Sequence, residues 1–142
     1  MIVAIYDTAT GQIRCTLEAT QEIVELNVGE GEAYIQAVAD DTQHYVDNGA
    51  LVDIPQPPHE LATWNWQTKL WDMPTEQAMY DHYAAEATEL RNQLLTDSDW
   101  SQLPDVPDII KAAYADYRQA LRDLTNQEGY PFEITWPTQP EV

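Results

Sequence analysis

Basic side chains are scarce in this sequence: six Lys and Arg stand against 25 Asp and Glu, a formal net charge of -19. A field of that sign repels phosphate backbones and anionic lipid surfaces, so no nucleic-acid or membrane partner is expected. A basic protein surface is the partner the charge favours. Cysteine is nearly absent. Cys15 alone cannot close an internal disulfide, and its place in a strand-like run predicts a small buried hydrophobe in a protein of a reducing cytoplasm. No apolar run approaches the roughly 20 residues that span a bilayer. The opening Ile2-Val3-Ala4-Ile5-Tyr6 also lacks the basic and long apolar regions of a secretory signal, so a soluble chain without classical export is expected. Glycine is sparse too. Gly29-Glu30-Gly31 has neither the third glycine nor the lysine that a phosphate cradle requires.

What is abundant is aromatic and apolar. Hydrophobic residues make up 44% of the chain, with five Trp and eight Tyr, which excludes a disordered acidic tail. At 142 residues the chain fits one compact domain or two small modules sharing an interface.

The N-terminal part reads as strands. Ile2 to Tyr6 and Gln12 to Leu17 are rich in apolar and β-branched residues around the turn chemistry of Asp7-Thr8-Ala9-Thr10-Gly11, which predicts a hairpin. Thr20 to Val28 fits either a short helix capped by Thr20 and lined by Ile23 and Leu26, or a strand over Ile23-Val24-Glu25-Leu26. Ala33 to Ala39, Gln43 to Asp47 and Ala50 to Ile54 then predict a meander of short antiparallel strands, with Asn48-Gly49 as its strongest turn signal. Pro55, Pro57 and Pro58 end it, because successive prolines remove ladder donors.

In Trp64-Asn65-Trp66-Gln67-Thr68-Lys69-Leu70-Trp71, a two-residue turn at Gln67-Thr68 sets Trp64 opposite Trp71 and Trp66 opposite Lys69. Beyond Pro74 the period changes to that of helices. Met79, Tyr83, Ala87, Leu90 and Leu94 recur at spacings of three and four, predicting a helix over about 75–96. Ile110, Tyr114, Tyr117, Leu121 and Leu124 mark a second, with Asp105 at its N-cap, Pro107 in its first turn, and Gly129 and Pro131 beyond its end. The expected fold class is α+β, with the chain divided into a β-rich module over 1–58, a linker and Trp hairpin over 59–73, and an antiparallel helical hairpin with an extended tail over 74–142. Two helices alone bury little, so the Trp hairpin, Phe132-Glu133-Ile134-Thr135-Trp136 or another chain is expected to complete the core.

Chemistry-bearing patterns are weak. His44, His59 and His82 fall on unrelated elements, and no Ser or Cys stands at triad spacing. Asp97, Asp99, Ser101, Asp105 and Asp108 follow a calcium-loop spacing, but Gln102 occupies the position of the obligatory glycine and the last ligand is Asp rather than Glu. No metal, cofactor or catalytic residue is therefore expected. Arg118 and Arg122, four apart on one helix, are placed to form an ion-pair cluster with the connector acids. Trp64, Trp66 and Trp71 are either core, a protein contact, or a platform on which a sugar ring would stack. The candidate partner-binding residues are these three with Asp99 and Trp100.

Leu94-Leu95, Ser98-Asp99-Trp100, Leu103-Pro104-Asp105, Tyr117 through Asp123 and Trp136-Pro137 together carry a family resemblance. Over about residues 75–140 the chain resembles bacteriophage tail assembly chaperone-like proteins, with Ser101 in place of the more usual Thr and Tyr114 where a Trp is common. The resemblance implies a non-enzymatic protein that binds tail fibre or baseplate components. Such a protein works in the host cytoplasm during assembly, as a chaperone or as a small adaptor kept in the virion tail, and forms homo- or hetero-oligomers. A glycan-binding module at the fibre tip, using exposed Trp residues, is the alternative.

Overall fold

The computed structural model describes residues 1–141, and the architecture is α+β. The chain divides into two compact units, Met1–Met73 and the remainder from Pro74. Among the described residues no helix is long and apolar enough to cross a membrane.

In the first unit β1 (Ile2–Asp7) and β2 (Ile13–Glu18) form the expected hairpin, with Val3 facing Leu17 and Ile5 facing Cys15. The Asp7 carboxylate shapes the turn by accepting hydrogen bonds from the backbone N–H of Ala9 and of Thr10, at 3.0 and 2.7 Å, and from the Thr10 hydroxyl. Gly11 closes it at φ 72°, a left-handed conformation open to glycine at little cost. The Gly11 carbonyl then accepts from Val46 N at 2.9 Å, tying the hairpin to the next one.

β3 (Glu32–Ile35) does not continue into a meander. It pairs antiparallel with the free edge of β1, giving the order β2-β1-β3. The reason lies in β1 itself: Val3, Ala4 and Ile5 are consecutive and all fully buried, and a strand apolar on both faces belongs in the middle of a sheet. Between β2 and β3 the ambiguous segment is a helix, α1 (Gln21–Asn27), but its buried residue is Val24. Ile23 and Leu26 are exposed, so the expected stripe is on the wrong side; in seven residues two spacings of three or four compete, and packing chooses between them. Cys15 shares the inward face of β2 with Ile13, as strand alternation requires, but it is half-buried rather than buried.

β4 (His44–Asp47) and β5 (Ala50–Asp53) form the Asn48-Gly49 hairpin, with both turn residues at positive φ. Val46 packs with Ala4 and Ile13 as the small core of this unit, flanked by Tyr6, Ile35, Ala39 and Leu51. β6 (Thr63–Asn65) and β7 (Leu70–Asp72) carry the Trp hairpin, and Trp64 does stand opposite Trp71. The connection is Trp66–Lys69 rather than Gln67-Thr68 alone, because the Asn65 side chain accepts from the backbone N–H of Gln67 and of Thr68 and opens a longer turn.

Three carboxyls of this unit are held below the usual carboxylate range: Asp7 by the Thr10 hydroxyl, Asp40 by the Thr42 hydroxyl, and Glu32 by the Arg14 guanidinium. A group whose folded pKa is depressed contributes stability that is complete above its unfolded value, near 4, and is lost as pH falls through the folded one. Asp7→Asn is therefore expected to lower the urea midpoint at pH 7, and that difference is expected to narrow progressively as the pH is taken below the unfolded value. A gap that does not narrow on acidification would remove the carboxylate from the account.

In the second unit α2 (Glu76–Asp97) starts at Thr75, whose hydroxyl accepts from Ala78 N at 3.1 Å. A 3-10 turn (Asp99–Gln102) follows, then α3 (Asp108–Arg122), a second 3-10 turn (Leu124–Asn126) and an extended tail. Asp105 does not cap α3. Proline disfavours the helical region for the residue before it, so Val106 stays out of the helix, Pro107 takes the N-cap position, and Asp105 lies exposed two residues too early. The helix also stops at Arg122, well before Gly129 and Pro131, by tightening into the 3-10 turn.

The core of this unit is built on α3 and the 3-10 turn after it: Tyr114, Tyr117, Leu121 and Leu124 are buried, with Leu94, Leu95, Ile110, Ile134 and Trp136 against them. α2 contributes only its C-terminal end to that cluster; Ala87 is its one buried residue among those described, and Leu90 of the expected stripe is exposed. Length explains the asymmetry. With 22 residues against 15, α2 outruns α3 by about 10 Å at 1.5 Å per residue. The tail occupies that stretch: Tyr80 meets the rings of Tyr130 and Phe132 at 6.4 and 6.3 Å, and Tyr83 meets Phe132 at 5.7 Å.

Candidate partner-binding surfaces

The connector after α2 is built around Arg118. The last carbonyls of a helix lack intrahelical donors, and Arg118 supplies them from α3: Nη1 donates to the Leu95 carbonyl at 2.6 Å and to the Ser98 hydroxyl oxygen at 2.8 Å. Its Nη2 donates to Asp99 at 2.8 Å. Ser98 and Ser101 are both buried; the Ser98 hydroxyl turns back to the carbonyls of Leu94 and Leu95, and the Ser101 hydroxyl donates to the Ser98 carbonyl at 2.6 Å. A cation at a helix C-terminus is also favoured by the helix dipole. Arg122 makes no ion pair among the described residues and points its charge to solvent. The connector acids do not converge. Among the described residues no three His, Cys, Asp or Glu side chains come together as a metal would need, and Asp99 faces Arg118 instead.

This geometry separates a structural residue from a peripheral one. The Arg118 side chain is 11% exposed and the Asp99 side chain 65% exposed. Arg118→Met is expected to cost about 1.5–3 kcal/mol, the value of hydrogen bonds from a charged group to partners left unsatisfied. Asp99→Asn removes only the solvent-screened pair and is expected to cost less than about 1 kcal/mol. Chemical denaturation of the two variants would rank them, and equal losses would contradict this division.

Trp100 is the exposed part of the connector, 43% accessible, with its ring 5.2 Å from that of buried Tyr114. Trp64, Trp66 and Trp71 are elsewhere, in the first unit, and all three are half-buried. Trp64 lies 5.8 Å from Tyr45 and meets Trp66 and Trp71 edge to face, at 87° and 66° between planes. The Trp71 Nε1 donates to the Pro55 carbonyl, which pins the proline segment to the hairpin. Rings set at such angles do not form the coplanar platform a sugar would stack on. Lys69 lies over the Tyr45 and Trp66 rings and donates to the carbonyls of Thr10 and Trp66, so this corner is knitted into the first unit.

The second unit also presents a surface that residue patterns alone did not single out. Between α2 and the tail runs a groove of about 360 Å³ lined by Tyr83, Glu86, Leu90, Phe132, Ile134 and Trp136. Its open apolar residues are large: Leu90 is 47% and Phe132 56% exposed. The signal was present in the period-two alternation of Phe132, Ile134 and Trp136, which can be read as core until one knows that α3 is too short to cover α2.

Residues 84–141 match the family model described as phage tail assembly chaperone protein. The stretch falls wholly within the second unit and takes in the connector, α3 and the tail, so the resemblance of the C-terminal module to that family is borne out. The match supports a role in phage tail assembly. No curated protein and no solved structure matches the chain.

Proposed function

We propose that this protein serves phage tail assembly by contact and not by catalysis, binding tail fibre or baseplate components as an assembly chaperone or as a small adaptor retained in the virion tail. The observation that carries this is the chaperone-family match over residues 84–141. The chemistry of the second unit agrees with it. The polar residues of the connector are engaged in holding α2 to α3, and among the residues the second unit leaves open are the large apolar side chains of Leu90, Trp100 and Phe132, which favour protein contact. Assembly takes place in the host cytoplasm, where the acidic surface of the chain steers it toward basic partners. Asp99 with Trp100 forms one contact on this view, and the Trp64, Trp66 and Trp71 hairpin a second, used only if its edge opens.

The experiment is the phage lacking this gene, examined for tails, together with the protein content of purified wild-type virions. Tailless particles without the deleted protein and no copies in wild-type virions identify the transient chaperone. A fixed, symmetric number of copies per virion identifies the adaptor. Normal tails in the deletion would overturn the proposal.

A further inference from the structure

The groove between α2 and the tail has a chemistry that selects its occupant. Its lining carries the large apolar side chains of Tyr83, Leu90, Phe132 and Trp136, and it continues over Phe132 into a second depression of about 560 Å³ bordered by Glu76, Met79 and Tyr80. Its rim is acidic, with Glu86 in the first part and Glu76 in the second. From Pro74 onward the chain carries 13 acidic and four basic side chains. Of the four, Arg118 is bound to the connector, Lys111 donates to the Pro104 carbonyl, and the Arg91 guanidinium is turned to the Asn92 side chain. His82 Nε2 lies 3.5 Å from Glu86 and offsets that carboxylate only when the imidazole is protonated, so the groove sits in a net acidic field.

From the observations above we infer that this groove binds a basic amphipathic helix of a tail protein, about four turns long. The length follows from the groove: Glu76 to Leu90 along α2 spans about 21 Å, the rise of some 14 helical residues. An apolar stripe on the partner fills the floor, and Lys or Arg flanking that stripe meets Glu76 and Glu86. A second copy of this chain is a poor occupant, since it would bring two acidic rims together and α2 offers a single Arg. The inference rests on the tail-assembly reading only for the source of the helix; the groove and its charge stand without it.

The test uses the full-length protein and a fluorescein-labelled 14-residue peptide of Leu and Lys in helical period, followed by anisotropy, beside a matched Leu and Glu peptide. The Leu/Lys peptide is expected to bind and to gain helicity by circular dichroism, and the Leu/Glu peptide is not. Leu90→Ser and Phe132→Ser are each expected to weaken binding at least tenfold, while Ile109→Ser, at an 81% exposed site on α3, leaves it unchanged. The double change Glu76→Gln with Glu86→Gln touches no core residue, so it decides the matter if a groove variant fails to melt like the parent. It is expected to weaken binding and to flatten its salt dependence. No binding, equal binding of both peptides, or binding indifferent to all these changes would overturn the proposal. So would a dimer in sedimentation that Phe132→Ser dissolves, since the occupant would then be a second copy. Groove variants that fully rescue the deletion phage would defeat the groove alone; normal tails in the deletion, with peptide binding intact, would defeat only the assembly role.

Discussion

Leu121→Ala is expected to destabilise the second unit by about 2–5 kcal/mol, the range for a leucine truncated in a close-packed core. Leu121 is fully buried among Tyr114, Tyr117 and Leu124, and α2 touches this cluster only through Leu94 and Leu95. A unit with one small core has no second cluster to absorb the cavity, and the loss is a large part of the 5–15 kcal/mol typical of a whole domain. Leu90→Ala makes the comparison, because nearly half of that side chain is already in water. It is expected to cost under about 1 kcal/mol. Urea titrations followed by far-ultraviolet circular dichroism would report both, and a loss at Leu121 no larger than at Leu90 would refute this placement of the core.

Gly11→Ala is the counterpart in the first unit. At φ 72° an alanine costs about 1–3 kcal/mol for the left-handed backbone alone. Space makes it worse: a Cβ built there would lie 2.0 Å from the Val46 carbonyl oxygen, a backbone atom that no rotamer change can move. Val46 would have to shift away from Ala4 and Ile13, adding about 1–3 kcal/mol of overpacking strain. Gly49→Ala separates the two causes, since its φ is 77° but nothing lies within 4 Å of the added Cβ. Thermal melts should show a loss at Gly11 well above that at Gly49; equal losses would mean that the backbone conformation, and not the contact with Val46, sets the cost.

Much of this architecture was legible from residues alone, and the reasons are local. Asn48-Gly49 specified its hairpin because only such residues accept positive φ at both central positions, and Trp64 found Trp71 because a short hairpin leaves few registers. The stripe of Tyr114, Tyr117, Leu121 and Leu124 is legible because one strongly apolar face can be buried in only one way. The readings that failed were those that depended on a neighbour. β3 joined β1 because β1 needed a partner on both edges. Asp105 missed the cap because Pro107 reset the start of α3.

The sequence by itself determined the acidic character, the α+β class, the positions of the turns and the C-terminal family module, since charge, turn chemistry and periodicity act over a few residues. Only the tertiary structure decided what the module leaves open. Arg118 was legible as a cation near acids; that it bonds the Leu95 carbonyl and Ser98 and so joins α3 to the end of α2 depends on two helices meeting. The groove is likewise a property of unequal lengths. α3 ends before α2 is covered, the tail fills the remainder incompletely, and Leu90 and Phe132 stay in water, because burial is settled by which surfaces meet and not by how apolar each residue is.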